Sequence, residues 1–410
     1  MKKLFTIFFA FAASVGTLFA DKVKIGDLYY SLNSADLTAT VVKENKDYPF
    51  WTTQLSAVNI PASVTYNGQN YSVTRINHEA FFECSMTSIT IPHSVTSIGS
   101  SAFYRCRNLT SLTIPSSVSD IGIWVVSECT NLTLLSVENG NPIYDSRENC
   151  NAIIETATNR LVVASSNTTI PHSVTSIDND AFYACDGLTT IVIPNTITNI
   201  DRNIFPHCDS LSSIIVEAGN PTYDSRDNCN AIVETATNTL IAGCKTTYIS
   251  NSVLSIGYYA FDCCYSLTSI NIPNSVTSIG AFAFNGCLRL KSITIGNSVT
   301  RIGSNAFCNC FSITSITCYA TTPPDLGSNV FDDYNLNFAV IPLYVPEQSV
   351  EAYKTADQWK KFNVKAIGTE DALPEILTDE NVHDGKFMID GVLYIRKEGR
   401  VFDITGQEVH

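Results

Sequence analysis

Fourteen cysteines in a chain of 410 residues are the first side chains to question for chemistry. A thiol serves as nucleophile, metal ligand or half of a disulfide, and each role needs its own setting. Seven of them, Cys106, Cys129, Cys185, Cys208, Cys264, Cys287 and Cys310, hold one place in a repeated phrase of the form A-F-x-x-C-x-x-L. Cys84 belongs to the same series, shifted by one deleted residue. Zinc needs paired short spacings that converge, and one Cys per unit does not supply them. Cysteines of neighbouring units point the same way, which suits a disulfide poorly. The slot otherwise suits Leu, so the series reads as small apolar thiols packed in a core.

Cys229 and Cys244 differ, because they bracket NAIVETATNTLIAG, two short strands joined by a turn at 235–238. If Glu234 faces Thr239 across that turn, Cys229 faces Cys244, and an exported protein can oxidise the pair. An earlier copy of the segment has Cys150 but Ser165 at the partner place, so the bond is not essential to the hairpin. Both copies carry GNPxYDSR, at 140–147 and 219–226. Asp145 with Arg147, and Asp224 with Arg226, could hold a ligand or calcium. Calcium wants several converging oxygens, however, and a turn stapled by local hydrogen bonds fits the pattern. Of the six histidines, His93 and His172 occupy the same repeat position, whereas a catalytic His is usually unique. No nucleophile elbow or Gly-rich phosphate loop is present. The sequence therefore predicts no catalytic, cofactor-binding or metal-binding residue and no enzyme activity.

What positions these residues is a repeat. Its strands end at Ile60, Ile91, Ile114, Val137, Ile170, Ile193, Val216, Ile249, Ile272, Ile295 and Cys318, mostly 23 residues apart. Two steps are 33, so three units plus a ten-residue insertion make a superperiod of 79. One copy has its apolar residues at Val95, Ile98, Phe103, Cys106, Leu109, Leu112 and Ile114, a tight turn followed by a short alternating strand. Pro92, Pro115, Pro171, Pro194 and Pro273 follow the strand and stop its pairing. Asn77, Gly99, Gly122, Asp178, Asp201, Gly257, Gly280 and Gly303 share one slot, which predicts a left-handed residue at a corner of every coil. No coil buries its apolar edge alone, so stacked coils must form one parallel sheet of eleven strands, about 50 Å long.

The phrase A-F-x-x-C-x-x-L-T-S-I-T-I-P with SVTSIG resembles the leucine-rich repeat, and most closely its BspA-type branch of bacterial surface proteins, from about residue 58 to 365. The chain departs from ordinary leucine-rich repeats in its low leucine content and lack of an Asn ladder. The expected fold is a mainly β solenoid, a right-handed leucine-rich-repeat coil with a parallel sheet on one face, short extended or 3₁₀ segments on the other, and β caps at the ends. The expected organisation is a signal peptide at 1–20, an N-terminal β cap at 21–59, the solenoid at 60–318 with hairpin insertions near 139–169 and 218–248, a C-terminal cap at 319–372 plugged by Trp359 and Phe362, and an acidic linker with a small β tail at 373–410.

Lys2 and Lys3 before an apolar run, then SVGTLFA, follow the order of a cleaved secretory signal. The tail reads as three short strands. Its segment 401–409 is similar to an element of C-terminal sorting domains, and the other reading is a plain β appendage. The net charge of −14 argues against nucleic acid and anionic membranes as partners. No apolar run of the mature chain is long enough to span a bilayer. The resemblance implies a secreted or cell-surface protein, read here as a monomer, that adheres to an extracellular protein on host matrix, host cells or other bacteria. Alternatives are a glycan-binding array, which needs Trp124, Tyr144, Tyr183, Tyr223, Tyr258, Tyr259 and Tyr265 to gather into exposed patches, and a structural spacer. The two insertions, as departures from the repeat, are the first places expected to touch a partner.

Overall fold

The structure, a computed structural model, describes residues 22–44, 55–331, 336–368, 385–389, 392–397, 400–402 and 408–409. The expected signal segment and acidic linker lie outside these. The repeats wind into a β-solenoid of about 13 turns. Each regular unit supplies a four-residue strand such as Ser292–Ile295, whose second and fourth residues are buried. Period-two alternation puts those side chains on one face, where they meet the same residues of the neighbouring coil. Ile293 and Ile295, for example, stand in parallel register with Ile316 and Cys318.

The expected single sheet is divided into blocks. Ala57–Asn59 pairs with Ser88–Thr90, Ser111–Ile114 with Leu134–Val137, and Thr190–Ile193 with Ser213–Val216. A five-stranded block runs from Ser269–Ile272 through Ser292–Ile295, Ser315–Cys318 and Pro342–Val345 to Asn363–Ala366. Residues 168–170 and 247–249, expected as strands, are not strands. The insertions give the reason, because their side chains take the N–H groups that the next strand would have bonded. Ser146 Oγ accepts from Val137 N–H at 2.9 Å, Asn151 Oδ1 from Leu135 N–H at 3.3 Å, and Ser225 Oγ from Val216 N–H at 3.0 Å.

A second parallel ladder uses the Ser-Ile pair of each SVTSIG. Ser97–Ile98 and Asp120–Ile121 continue the N-terminal sheet of Val23–Ile25, Leu28–Asn33, Thr38–Val42 and Gln69–Ile76. Past the second insertion the ladder runs through Ser255–Ile256, Ser278–Ile279, Arg301–Ile302 and Asp325–Leu326. The third side of the coil is a run of turns rather than a 3₁₀ helix. Ala102, Tyr104 and Cys106 donate to carbonyls three residues back, while Ser101, Phe103 and Arg105 donate to Ile123, Val125 and Ser127 of the next coil. Half of the N–H groups thus close the turn and half bind the coils together.

The corner slot needs correction. None of Asn77, Gly99, Gly122, Asp178, Asp201, Gly257, Gly280 and Gly303 has positive φ. The left-handed residues come two and six positions later, as at Ser101 and Arg105, Trp124 and Glu128, Asp180 and Ala184, Tyr259 and Cys263. Glycine recurs in the slot because backbones nearly touch there. A Cβ on Gly303 would lie 2.3 Å from Ala281 N, and one on Gly122 2.2 Å from Ser100 N.

Phenylalanines fill the turn side of the core. Phe261, Phe284, Phe307 and Phe331 stack at 4.8, 5.0 and 5.5 Å, nearly parallel and all buried. Burying each side chain contributes about 1.5–3 kcal/mol. Beyond the last ring, Trp359 and Phe362 lie 5.2 and 5.1 Å from Phe331, and Trp359 Nε1 donates to Pro324 O at 3.1 Å. Tyr353, on the α-helix Val350–Thr355, donates to Ala320 O at 2.9 Å. In the tail, Gly385–Ile389, Val392–Lys397, Arg400–Phe402 and Glu408–Val409 form an antiparallel sheet of four strands rather than three. The fourth strand is a two-residue piece, too short to show as alternation.

Candidate binding surface

The cysteine ladder is buried, apart from the half-buried Cys264, and holds backbone. Cys106 Sγ donates to Phe81 O at 3.0 Å, and the bond recurs from Cys129 to Phe103, Cys208 to Phe182, Cys287 to Phe261 and Cys310 to Phe284. Each of these carbonyls also accepts a backbone N–H from its own coil, as Phe284 O does from Cys287 N at 3.3 Å. A thiol therefore occupies a leucine slot because it reaches the second lone pair of the preceding coil's carbonyl. Burial pushes the Cys129 thiol up to about 12 and that of Cys287 well above its ordinary value, so both remain protonated donors rather than nucleophiles.

The hairpin puts Glu234 opposite Thr239 as expected, but the register shifts at a bulge between Ile232 and Val233. Ala231 consequently faces Gly243, and the register no longer sets Cys229 against Cys244. Both are free thiols in the structure. Cys244 Sγ donates to Asn230 O at 3.5 Å, the bond that Ser165 Oγ makes to Asn151 O at 2.9 Å in the first insertion. Cys and Ser thus fill the same turn-closing place.

GNPxYDSR is a staple with a task for most of its letters. Asn220 donates to Pro194 O and Ile197 O at 3.0 and 2.9 Å and accepts from Tyr223 N at 2.8 Å. The Tyr223 hydroxyl accepts Ile200 N–H at 3.1 Å, and Ser225 caps Val216. Arg226 grips Asp224 with two bonds and reaches Asn238 Oδ1 at 2.6 Å. In the first copy, burial alone would raise Asp145, but the bonds from Arg147 outweigh it and hold the carboxyl below its ordinary range. Among the described residues no group of three or more His, Cys, Asp or Glu is placed to hold a metal ion.

His93 and His172 lie exposed, 2.8 Å from Glu138 and 3.5 Å from Glu217, each pair bridging coils two apart. Ser116 N–H, with His93, holds Glu138 below its ordinary range. Of the aromatics, Trp124, Tyr183 and Tyr265 are half-buried and run with His207 along the turn side at 4.8, 5.0 and 4.7 Å. The row is continuous because coils on either side of an insertion touch there, with Glu128 N–H on Ala184 O at 3.1 Å and His207 N–H on Cys263 O at 3.3 Å. Tyr223 is buried and Tyr144 half-buried. Tyr258, exposed, packs on Tyr259 with the Arg202 guanidinium 5.2 Å from its ring.

The outward face of the four-residue strands carries mostly hydroxyls, such as Thr113, Ser136, Thr294 and Thr317. Val192, Ile215 and Tyr248 hold the same place in three successive coils, 41%, 45% and 55% exposed. Val192 and Ile215 are register partners. Thr246 Oγ1 donates to Ser212 O at 2.6 Å, which lays the coil of Tyr248 against that of Ile215. At one end of this strip is a groove of about 390 Å³ lined by Thr169, Ile170 and Val192 and by Glu148, His172 and Glu217. The sequence carries the signal only as apolar residues at Val192, Ile215 and Tyr248 in a column of mostly Ser, Thr and Asn, which shows once the strand register is known.

The BspA type leucine rich repeat region matches in six copies, over residues 70–158, 161–231 and 241–360, well over half the chain. The chain belongs to this family. No curated protein sequence matches this BspA-type repeat protein closely. Among solved structures it is similar to a leucine rich cell surface protein from Faecalibacterium prausnitzii, with 27% identity and a TM-score of 0.45 over 88% of this chain and 98% of that one. A leucine-rich repeat protein from Eubacterium ventriosum matches at 18% identity and TM-score 0.44, over 87% and 96% of the two chains. The pneumococcal vaccine antigen PcpA matches at 15% and 0.41, over 85% and 97%. Among the described residues of the BspA-type protein, no helix is long and apolar enough to cross a membrane.

Proposed function

We propose that this chain is an exported, cell-surface, non-enzymatic protein whose repeat array binds another protein and so mediates adhesion to host matrix, host cells or other bacteria. The observation that carries this reading is the exposed apolar strip Val192, Ile215 and Tyr248 in a column that from Asn59 to Thr317 is otherwise given to hydroxyls and amides. Contiguous apolar surface that the fold does not use marks interaction sites. Family membership and a cell-surface relative support the location, as does the secretory pattern at residues 1–20.

A glycan-binding array is less well supported, because Trp124, Tyr183 and Tyr265 lean ring on ring and Tyr223 is buried, which leaves few open ring faces for a sugar. The test is solid-phase binding of the full chain to a panel of extracellular matrix proteins beside a glycan array. Saturable binding to a matrix protein is expected. Binding to glycans alone would replace this reading, and binding to neither would leave a spacer. Fractionation of cells expressing the chain with and without residues 378–410 tests delivery; unchanged surface display on deletion would remove the tail from it.

A further inference from the structure

We propose that the middle of the strand face, from Thr169 to Tyr248, docks an extended polypeptide segment in which apolar side chains alternate with Lys or Arg. This rests on the reading of the chain as a protein-binding array and names the surface and the chemistry of the partner.

The strip is not needed for stacking. Thr113 and Thr294 stand in the same column on regular coils, so a hydroxyl folds there as well. Val192, Ile215 and Tyr248 nonetheless place apolar surface in water on three successive rungs. Val192 and Ile215 stand on paired rungs about 4.8 Å apart, and Tyr248 follows on the next coil, where its N–H bonds to Cys229 O of the insertion at 3.0 Å, so the strip reaches at least two alternate side chains of an extended segment. The groove beside it exists because residues 168–170 do not pair as a strand between Leu134–Val137 and Thr190–Ile193. Its charged lining is Glu148 and Glu217 with one histidine, His172, in a chain of net charge −14. A cationic side chain next to an apolar one is the complement of that surface. Strand addition is not the mode of docking, because Ser146 and Ser225 already take the edge N–H groups of Val137 and Val216. The contact is made by side chains.

The experiment uses fluorescence anisotropy of short labelled peptides with the full chain at low salt: one alternating Lys and Ile, one alternating Glu and Ile, one alternating Lys and Ser. Two variants accompany it. Val192→Thr/Ile215→Thr/Tyr248→Thr installs the residue type that the column uses elsewhere, with thermal melts confirming the fold, and Glu148→Gln/Glu217→Gln removes charge while keeping acceptors. The Lys/Ile peptide is expected to bind, about tenfold more weakly to the threonine variant and several-fold more weakly to the glutamine variant. The Glu/Ile and Lys/Ser peptides are expected to bind the wild type about tenfold more weakly than Lys/Ile. Equal binding of Lys/Ile to the threonine variant, or of Glu/Ile to the wild type, would overturn the proposal. So would sedimentation showing a wild-type dimer that the threonine variant abolishes, because the occupant is then a second copy. A matrix protein bound equally by wild type and threonine variant would move the docking surface elsewhere and leave the protein-binding reading intact. Binding of neither peptide nor matrix protein would remove both.

Discussion

A thiol that donates to a carbonyl of the neighbouring coil stabilises the stack twice, by filling a leucine-sized place and by occupying a lone pair. Cys287→Ala removes both contributions and is expected to lower stability by about 1–2 kcal/mol in a urea melt. Ellman's reagent should titrate the buried thiols only once the protein unfolds; fast modification of Cys106, Cys287 or Cys310 in the native protein would contradict the burial. Asp186 shows the opposite economy, a charge in an unfavourable place. Burial, then the charges of Glu128 and Asp209, push its carboxyl up to about 6 from 3.8. The folded state therefore holds a proton that the unfolded state releases, so this group's contribution is full below about pH 4 and is lost as pH rises towards 6 and beyond. Asp186→Asn is expected to raise the melting temperature at pH 7.5 and to match wild type at pH 4. A shift of equal size at both values would show that the carboxyl is not perturbed.

Within the coil, the close approach and the left-handed turn are separate devices, and substitutions distinguish them. Gly303→Ala drives a methyl into the backbone of the preceding coil and is expected to cost about 1–3 kcal/mol although φ there is ordinary. Ala184→Gly, at φ 54°, is expected to gain about 0.5 kcal/mol, again by denaturant melt. The same pair explains what the sequence could show. Stacking demands one residue type in one slot, so Phe103, Cys106, Leu109 and Ile114 and their equivalents are legible as a solenoid without coordinates. Glycine composition has two causes, positive φ and close contact, and the sequence cannot separate them. The actual left-handed residues include Trp124, Tyr259 and Phe282, types that give no local sign of it. The bulge at Ile232 and Val233 was equally hidden, because it adds no glycine and leaves the turn register intact. The candidate site was legible only as exceptions: Val192, Ile215 and Tyr248 stand out once the column is known to face water.

Across the whole molecule, each coil packs on its neighbours, with the surface pairs His93–Glu138 and His172–Glu217 reaching one coil further, and an insertion works as a wedge. On the turn side Glu128 bonds directly to Ala184, while on the second sheet Tyr144–Asp145, Ala152–Glu155 and Arg160–Ala164 are interposed. Nearest-neighbour coupling also limits how far damage spreads. Trp359 is buried against Phe331 and Tyr353 at the end of the stack. Trp359→Ala is expected to cost the C-terminal coils about 3–5 kcal/mol. In hydrogen exchange the loss of protection should fall on Ser292–Ile295, Ser315–Cys318, Pro342–Val345 and Asn363–Ala366, with Leu28–Asn33 and Ser111–Ile114 unchanged. The two insertions, where the strand ladder is interrupted, should stop the opening from travelling further. If protection fell equally at Ser111–Ile114, the array would be one cooperative unit, and the insertions would transmit stability rather than divide it.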